Sequence, residues 1–198
     1  MKLKLIVASV VVMLGVTLAP AAHRTLQWIS DAHGLITVAM KHPGELTLDP
    51  YAKDGLLISQ GVAAWILTHL SYPYGKCSEL SQLVRNCSTP LVNQLIHTID
   101  KSESTVSERG YDLLRHMIER GEPLNAHSNG LTPLHEAILL KNPKLVKVLL
   151  EAGANPRTRA LAHGKPYHNL NAFQFLNYLE AKNPRSYVAV RAALEPYR

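Results

Sequence analysis

Several residue classes are scarce in this 198-residue sequence, and their scarcity excludes whole groups of proteins. Two cysteines are too few for a disulfide-rich mini-domain or a four-thiolate zinc site. Charged residues make up 18% and hydrophobic residues 46%, so disorder over the whole length is excluded. The net charge of +6 is only moderately basic, unlike the dense basic stripe of a dedicated nucleic-acid binder. We therefore expect a compact, mostly helical body that does not bind nucleic acid.

Motifs for catalysis and metal binding are missing as well. The sequence has no glycine-rich phosphate loop and no Gly-x-Ser-x-Gly nucleophile turn. His135-Glu136 begins like a zinc-peptidase helix, but that motif needs a histidine where Leu139 stands. His163 and His168 supply only two potential ligands. We predict no catalytic site, no metal site and no cofactor, and a hydrolase with unrecognised catalytic residues stays an alternative.

The first residues have the pattern of an export signal. Lys2 and Lys4 precede an apolar stretch at 5–19, which small residues follow. A basic head, an apolar middle and a small-residue end form a secretory signal, while the apolar length is near the minimum for crossing a bilayer. Residues 1–21 are therefore predicted to be a signal peptide or an uncleaved anchor. In both cases the body lies outside the cytoplasm, and membrane association is expected only without cleavage.

A repeat motif stands out in the second half of the chain. Residues 129–137 read Asn-Gly-Leu-Thr-Pro-Leu-His-Glu-Ala, and residues 143–156 read Pro-Lys-Leu-Val-Lys-Val-Leu-Leu-Glu-Ala-Gly-Ala-Asn-Pro. This segment resembles a nearly complete ankyrin repeat, in which a turn leads into two short helices. One repeat cannot bury its apolar face alone, so stacked neighbours are required.

Five positions of the motif have structural roles. Thr132 can cap a helix by accepting a backbone N–H, and Pro133 suits the first helical position. Leu134 falls on the buried side of that helix. The resemblance implies that His135 ties the turn together through its imidazole. Gly153 is expected to end the second helix in a left-handed conformation.

More degenerate copies flank this repeat. Gly121 precedes Gly153 by 32 residues, but Thr89-Pro90-Leu91 precedes Thr132-Pro133-Leu134 by 43, which indicates an insertion assigned to a polar loop at 101–109. Further helix pairs are predicted at 171–179 with 186–194, and at 54–70 with 78–85. The predicted fold is all-α: an ankyrin-like solenoid of about four stacked helix pairs at 54–198, an N-terminal helical cap at 22–53, and the signal or anchor helix.

The two cysteines leave two alternatives open. Export to an oxidising compartment favours a disulfide between Cys77 and Cys87. A continuous helix through both would separate their α-carbons by about 15 Å, whereas a bridge needs them within about 7 Å. A bridge therefore requires a short helix whose ends curl back, and two buried free thiols are the alternative.

The resemblance to ankyrin repeats implies binding of another protein, through the turn tips and the inner helices. Carried onto this sequence, the partner-binding positions are His127, Ser128, Asn129, Glu136, Thr158 and Arg159. Leu139 and Leu140 are alternatively expected to pack on the long connection at 157–170. The hypothesis is a periplasmic binding protein of a Gram-negative bacterium, most specifically an immunity protein that masks a toxic effector. An envelope stress or assembly scaffold is the alternative.

Overall fold

The computed structural model describes residues 21–23, 25, 26, 29, 32–41, 57–70, 90–100 and 104–198. The predicted leader up to residue 20, Cys77, Cys87 and the predicted helix at 78–85 lie outside the described residues. The chain divides into two compact units, Met1–Cys87 and Ser88–Arg198. The predicted start of a repeat domain at residue 54 stays a prediction.

In the described part of the first unit, α1 (Ala32–Ala39) packs against α2 (Gln60–His69). Ser59 caps α2 because its hydroxyl accepts the backbone N–H of Val62 at 3.3 Å. Helix α1 lies within the predicted N-terminal helical cap at 22–53. Within the described segments of the chain, no helix combines the length and apolar character needed to cross a membrane.

The described residues of the second unit form three consecutive helix pairs. They are α3 (Leu91–Asp100) with α4 (Ser104–Glu119), α5 (Pro133–Leu139) with α6 (Pro143–Glu151), and α7 (Ala172–Glu180) with α8 (Val188–Leu194). The first helices of the pairs pack side by side, α5 between α3 and α7, and α6 packs against α8. This two-layered stack is the all-α, ankyrin-like arrangement that the sequence predicted. Of the predicted fourth pair, the described residues contain only α2.

Capping residues define the middle pair. Thr132 caps α5 and Asn142 caps α6, each accepting a backbone N–H three residues ahead, and each is followed by a proline in the first helical turn. Four residues of α6 fall on one side at helical spacing and are buried: Leu145, Val146, Leu149 and Leu150. Gly153 follows with φ 95°, a left-handed conformation that closes the helix end.

The last pair is fixed by polar side chains at its ends. Asn171 and Gln174 form a reciprocal capping box at the start of α7. Arg191 of α8 forms a two-pronged ion pair with Glu180 of α7 and also donates to Asn177. Short 3-10 segments, Pro184–Ser186 and Glu195–Tyr197, flank α8. These side-chain contacts therefore hold α7 and α8 together as a helix pair.

The first pair corrects one expectation. Residues 101–109 were expected to form a polar loop, but α4 begins at Ser104, so that prediction is wrong for most of the segment. Val106 is buried, and Glu108 forms an ion pair with Lys144 at the start of α6 at 2.8 Å. The same Lys144 lies 3.9 Å from the ring centre of Tyr111. These contacts stabilise the helical conformation of a segment that is polar by composition.

Candidate partner-binding surface

The turn that leads into α5, here the short turn (residues 125–131), is closed by two backbone hydrogen bonds. Ser128 N–H donates to Leu131 O at 2.8 Å, and Leu131 N–H donates to Ser128 O at 2.9 Å. Asn129 and Gly130 between them have φ 49° and 81°, the pair of left-handed residues that a type I′ turn requires. The turn holds Asn129 exposed to solvent and buries the side chain of Ser128.

The connection into α7, here the long turn (residues 157–170), is closed across its base. Ala160 N–H donates to Leu170 O at 2.9 Å, and Asn169 N–H donates to Ala160 O at 2.8 Å. Inside this closure Lys165 N–H donates to Ala162 O and His168 N–H donates to Lys165 O, both at 3.0 Å. The long turn therefore has its own backbone hydrogen bonds and a defined conformation.

Hydrogen bonds also join the two turns to each other. His127 Nε2 donates to Arg159 O at 2.9 Å, and Leu161 N–H donates to Gly130 O at 2.8 Å. At the base of the turns, Asn155 N–H donates to the Asn125 side chain at 2.9 Å. Residues about 30 positions apart are thus joined one turn to the next, as in a ladder of stacked repeats.

Gly130 is the point of closest approach between the turns. A Cβ at this position would lie 2.6 Å from the Ala162 α-carbon and 2.7 Å from its backbone nitrogen. Backbone atoms cannot swing aside as a flexible side chain does, so only glycine permits this packing. Gly130 is therefore needed both for the conformation of the short turn and for the seating of the long one.

His135 joins the start of helix α5 to the long turn and to α7. The Thr132 hydroxyl donates to His135 Nδ1 at 2.7 Å, and His135 Nε2 donates to Leu170 O at 3.1 Å. The Phe175 ring meets the imidazole edge-on, with ring centres 5.2 Å apart. Burial lowers the pKa of His135 to about 4, although the hydrogen bond to Leu170 opposes that shift. Both ring nitrogens are satisfied when the imidazole is neutral.

Glu136 requires a correction. The sequence placed it on an outward position that contacts a partner, but it is only 3% exposed, so that prediction is wrong. Its carboxylate accepts from Asn93 Nδ2 at 2.8 Å and lies 3.4 Å from His97 Nε2, both on α3. Asn93 is fully buried, and within the described residues its Oδ1 has no hydrogen-bond partner. Glu136 therefore joins two neighbouring helix pairs from inside the stack.

The other predicted partner-binding residues divide by exposure. Ser128 is buried, so the prediction that its side chain contacts a partner is also wrong. Asn129 and Arg159 are exposed at the turn tips, and their role in binding stays a prediction. His127 and Thr158 are half-buried. The hydrogen bond of His127 to Arg159 makes its first role the joining of the turns.

The partner-binding positions predicted from the sequence did not include two exposed residues of the long turn, Leu161 and Lys165. Leu161 is 50% exposed although its backbone is fixed by the hydrogen bond to Gly130. The unusual length of this connection was the signal that could have pointed to them. Leu139 of α5 is 42% exposed, which does not fit the expectation that it packs on the long turn.

Charge is unevenly distributed over this surface. Residues 123–135 and 152–179 contain no aspartate or glutamate. Arg157, Arg159 and Lys165 of the long turn are all exposed cations. The turn surface, which we define as the short turn together with the long turn, is therefore positive.

The described residues contain no group of three or more histidine, cysteine, aspartate or glutamate side chains that could hold a metal ion. The rings of His163 and His168 do approach each other within the long turn, with centres 4.4 Å apart. Two imidazoles alone fall short of the ligand number of a protein zinc site. The predicted pair Cys77 and Cys87 lies outside the described residues, so its bridging stays a prediction.

Comparison with known proteins gives one family. Residues 129–160 match the family model of the ankyrin repeat, from the last residues of the short turn through α5 and α6 to the first residues of the long turn. No curated protein and no solved structure matches the chain.

Proposed function

From the premise that this chain is an ankyrin-repeat protein, we propose that the turn surface of its second unit holds a protein partner. Ankyrin repeats act as protein–protein interaction modules. The observation that carries the proposal is the fixed geometry of the turns. Hydrogen bonds close each turn and join it to its neighbour, while Asn129, Arg159 and Leu161 stay exposed.

A fixed surface favours binding for a thermodynamic reason. Ordering a mobile loop upon association costs conformational entropy, which reduces the affinity that its contacts provide. Here the closure between Ala160 and Leu170 and the contact of Gly130 with Ala162 hold the backbone before any partner arrives. The exposed side chains are then available at little additional ordering cost.

The more specific part of the proposal is an exported, periplasmic immunity protein that masks a toxic effector. Two observations support it: the basic and apolar leader pattern at 1–21, and turns whose backbone is fixed by hydrogen bonds. Masking an effector needs a rigid complementary surface and no chemistry of its own. A toxic effector and its dedicated inhibitor have to be produced together, so their genes are expected to be adjacent.

Partner binding, localisation and immunity are tested by separate measurements. Affinity capture from the native envelope fraction with the full chain should recover a protein that an Asn129→Arg/Leu161→Arg variant fails to retain. The matched control, Lys147→Glu on α6, changes a side chain that is 68% exposed away from the turns. Capture that survives the turn substitutions would place binding elsewhere.

Localisation and immunity have their own tests. Cell fractionation should find the protein in the periplasm or at the inner membrane, and the mature N-terminus should reveal whether cleavage occurs near residue 21. Cells that lack the gene should die when mixed with sibling cells that deliver the effector. Normal survival in that competition would reject the immunity role and leave an envelope scaffold as the alternative.

A further inference from the structure

We infer that the turn surface recognises an acidic protein segment that carries an apolar side chain; this inference rests on the proposed function. It follows from how charge is paired over the second unit. Away from the turns, five cations have carboxylate partners: Arg115 with Asp112, Lys144 with Glu108, Lys147 with Glu151, Arg191 with Glu180 and Arg198 with Glu195. Two others, Lys141 and Lys182, lie over the rings of Tyr187 and Tyr178.

The long turn differs from these surfaces. Arg157, Arg159 and Lys165 have no ion-pair partner among the residues that the structure describes. The nearest segments cannot supply one, because residues 123–135 and 152–179 lack carboxylates and Glu136 is buried. Charge left uncompensated on a fixed surface attracts ligands of opposite sign and speeds their association.

An apolar contact is built into the same place. Leu161 is 50% exposed, lies between Arg159 and Lys165 in the chain, and has its backbone fixed by Gly130. Its neighbours Ala160 and Ala162 are buried, so the loop cannot rotate Leu161 inward without breaking its packing. A leucine held outward among cations fits an apolar side chain flanked by aspartate or glutamate.

The same observations disfavour other anionic ligands. Nucleic acid would require exposed aromatic rings for stacking or a longer basic track. Here Tyr167 is half-buried and its ring packs edge-on against Phe175. An anionic bilayer would be held by three cations and one leucine only, well short of the cationic clusters that membrane-surface proteins use.

The test uses the full chain and a fluorescein-labelled peptide of alternating aspartate and glutamate with one central leucine. Its uncharged analogue has asparagine and glutamine instead. Fluorescence anisotropy should show binding of the acidic peptide, weakened about tenfold or more in Arg159→Glu/Lys165→Glu. The matched control, Arg115→Glu/Lys147→Glu, makes the same change in net charge on α4 and α6 and should weaken binding less than about twofold. Leu161→Ser should weaken binding about fivefold, and the uncharged analogue should not bind.

Four outcomes would overturn the inference. Equal losses in the two charge-reversed variants would show attraction by net charge alone. Absence of peptide binding, or tighter binding to phosphatidylglycerol vesicles or to oligothymidylate than to the peptide, would assign the surface to another ligand or to none. Circular dichroism checks that each variant folds, and Arg159→Gln/Lys165→Gln replaces the reversal if it does not. If the native partner is lost with Leu161→Arg yet unaffected by Arg159→Glu/Lys165→Glu, the proposed function stands and this inference fails.

Discussion

Acidification should destabilise the second unit through one side chain, His135. Its pKa is lowered to about 4 by burial, whereas the ordinary value is 6.5. The unfolded chain therefore binds a proton between these values while the folded chain does not. The stability that the neutral His135 contributes is fully present above about pH 6.5 and is lost as pH falls toward 4. Integrated over the shift, the loss is about 2 kcal/mol at pH 5 and about 3 kcal/mol well below pH 4.

The measurement must read the second unit by itself, because both tryptophans, Trp28 and Trp65, belong to the first. Hydrogen–deuterium exchange in urea, followed by mass spectrometry of peptides from residues 129–151, reports its opening free energy. We expect the advantage of wild type over His135→Gln to shrink by about 2 kcal/mol between about pH 7.5 and pH 5. Taking this difference removes the contribution of all other titrating groups.

His163→Gln is the matched control, because His163 is exposed in the long turn and its ring contacts His168 and not the core. The opening free energy of the His163→Gln variant should depend on pH as that of wild type does. If His135→Gln keeps the full pH dependence of wild type, the buried imidazole is not the group that acidification acts on, and the reasoning from its burial fails.

Three further changes test the packing of the stack. Gly130→Ala should lower the free energy of unfolding by about 3 kcal/mol or more, because the added Cβ meets the Ala162 backbone. Gly164→Ala, at a similar φ but with open space around it, should lower it by only about 1 kcal/mol. Equal losses in urea unfolding would contradict the close approach of Gly130 to Ala162. Glu136→Ala should lower the free energy of unfolding by about 3 kcal/mol, because it leaves the buried Asn93 amide without its acceptor. The double variant Asn93→Leu/Glu136→Leu should recover much of that loss. A double variant as unstable as the sum of its two single variants would refute this pairing. Asn171→Ala should cost about 1 kcal/mol through the lost cap of α7, and Asn171→Ser much less, as measured by thermal melts.

Local interactions explain what the sequence could predict. Thr132 and Pro133 act on helix α5 within one turn of themselves, and the apolar spacing of α6 indicates its buried side directly. Helix pairs and their order follow from such short-range patterns and the repeat period. The resemblance then implied the stacking, because a single pair leaves its apolar face uncovered.

Interactions between helix pairs explain what the sequence could not predict. Glu136 looks like an exposed polar residue until Asn93, 43 positions earlier in a degenerate copy, is brought beside it. Helix α4 extends through a polar segment because Lys144, from the next pair, meets Glu108. Likewise, Leu161 gains its fixed exposure only through Gly130. Each of these depends on a neighbour that composition and period do not identify.

The bond from His135 to Leu170 restricts how this repeat can be used in protein engineering. A cassette cut at residue 160 would contain the whole matched motif, but it would lack the acceptor for His135 and the Phe175 ring beside it. A graft into another scaffold has to extend through Phe175, or the recipient has to provide a carbonyl group and an aromatic ring in the same positions. The portable segment is therefore longer than the recognisable one.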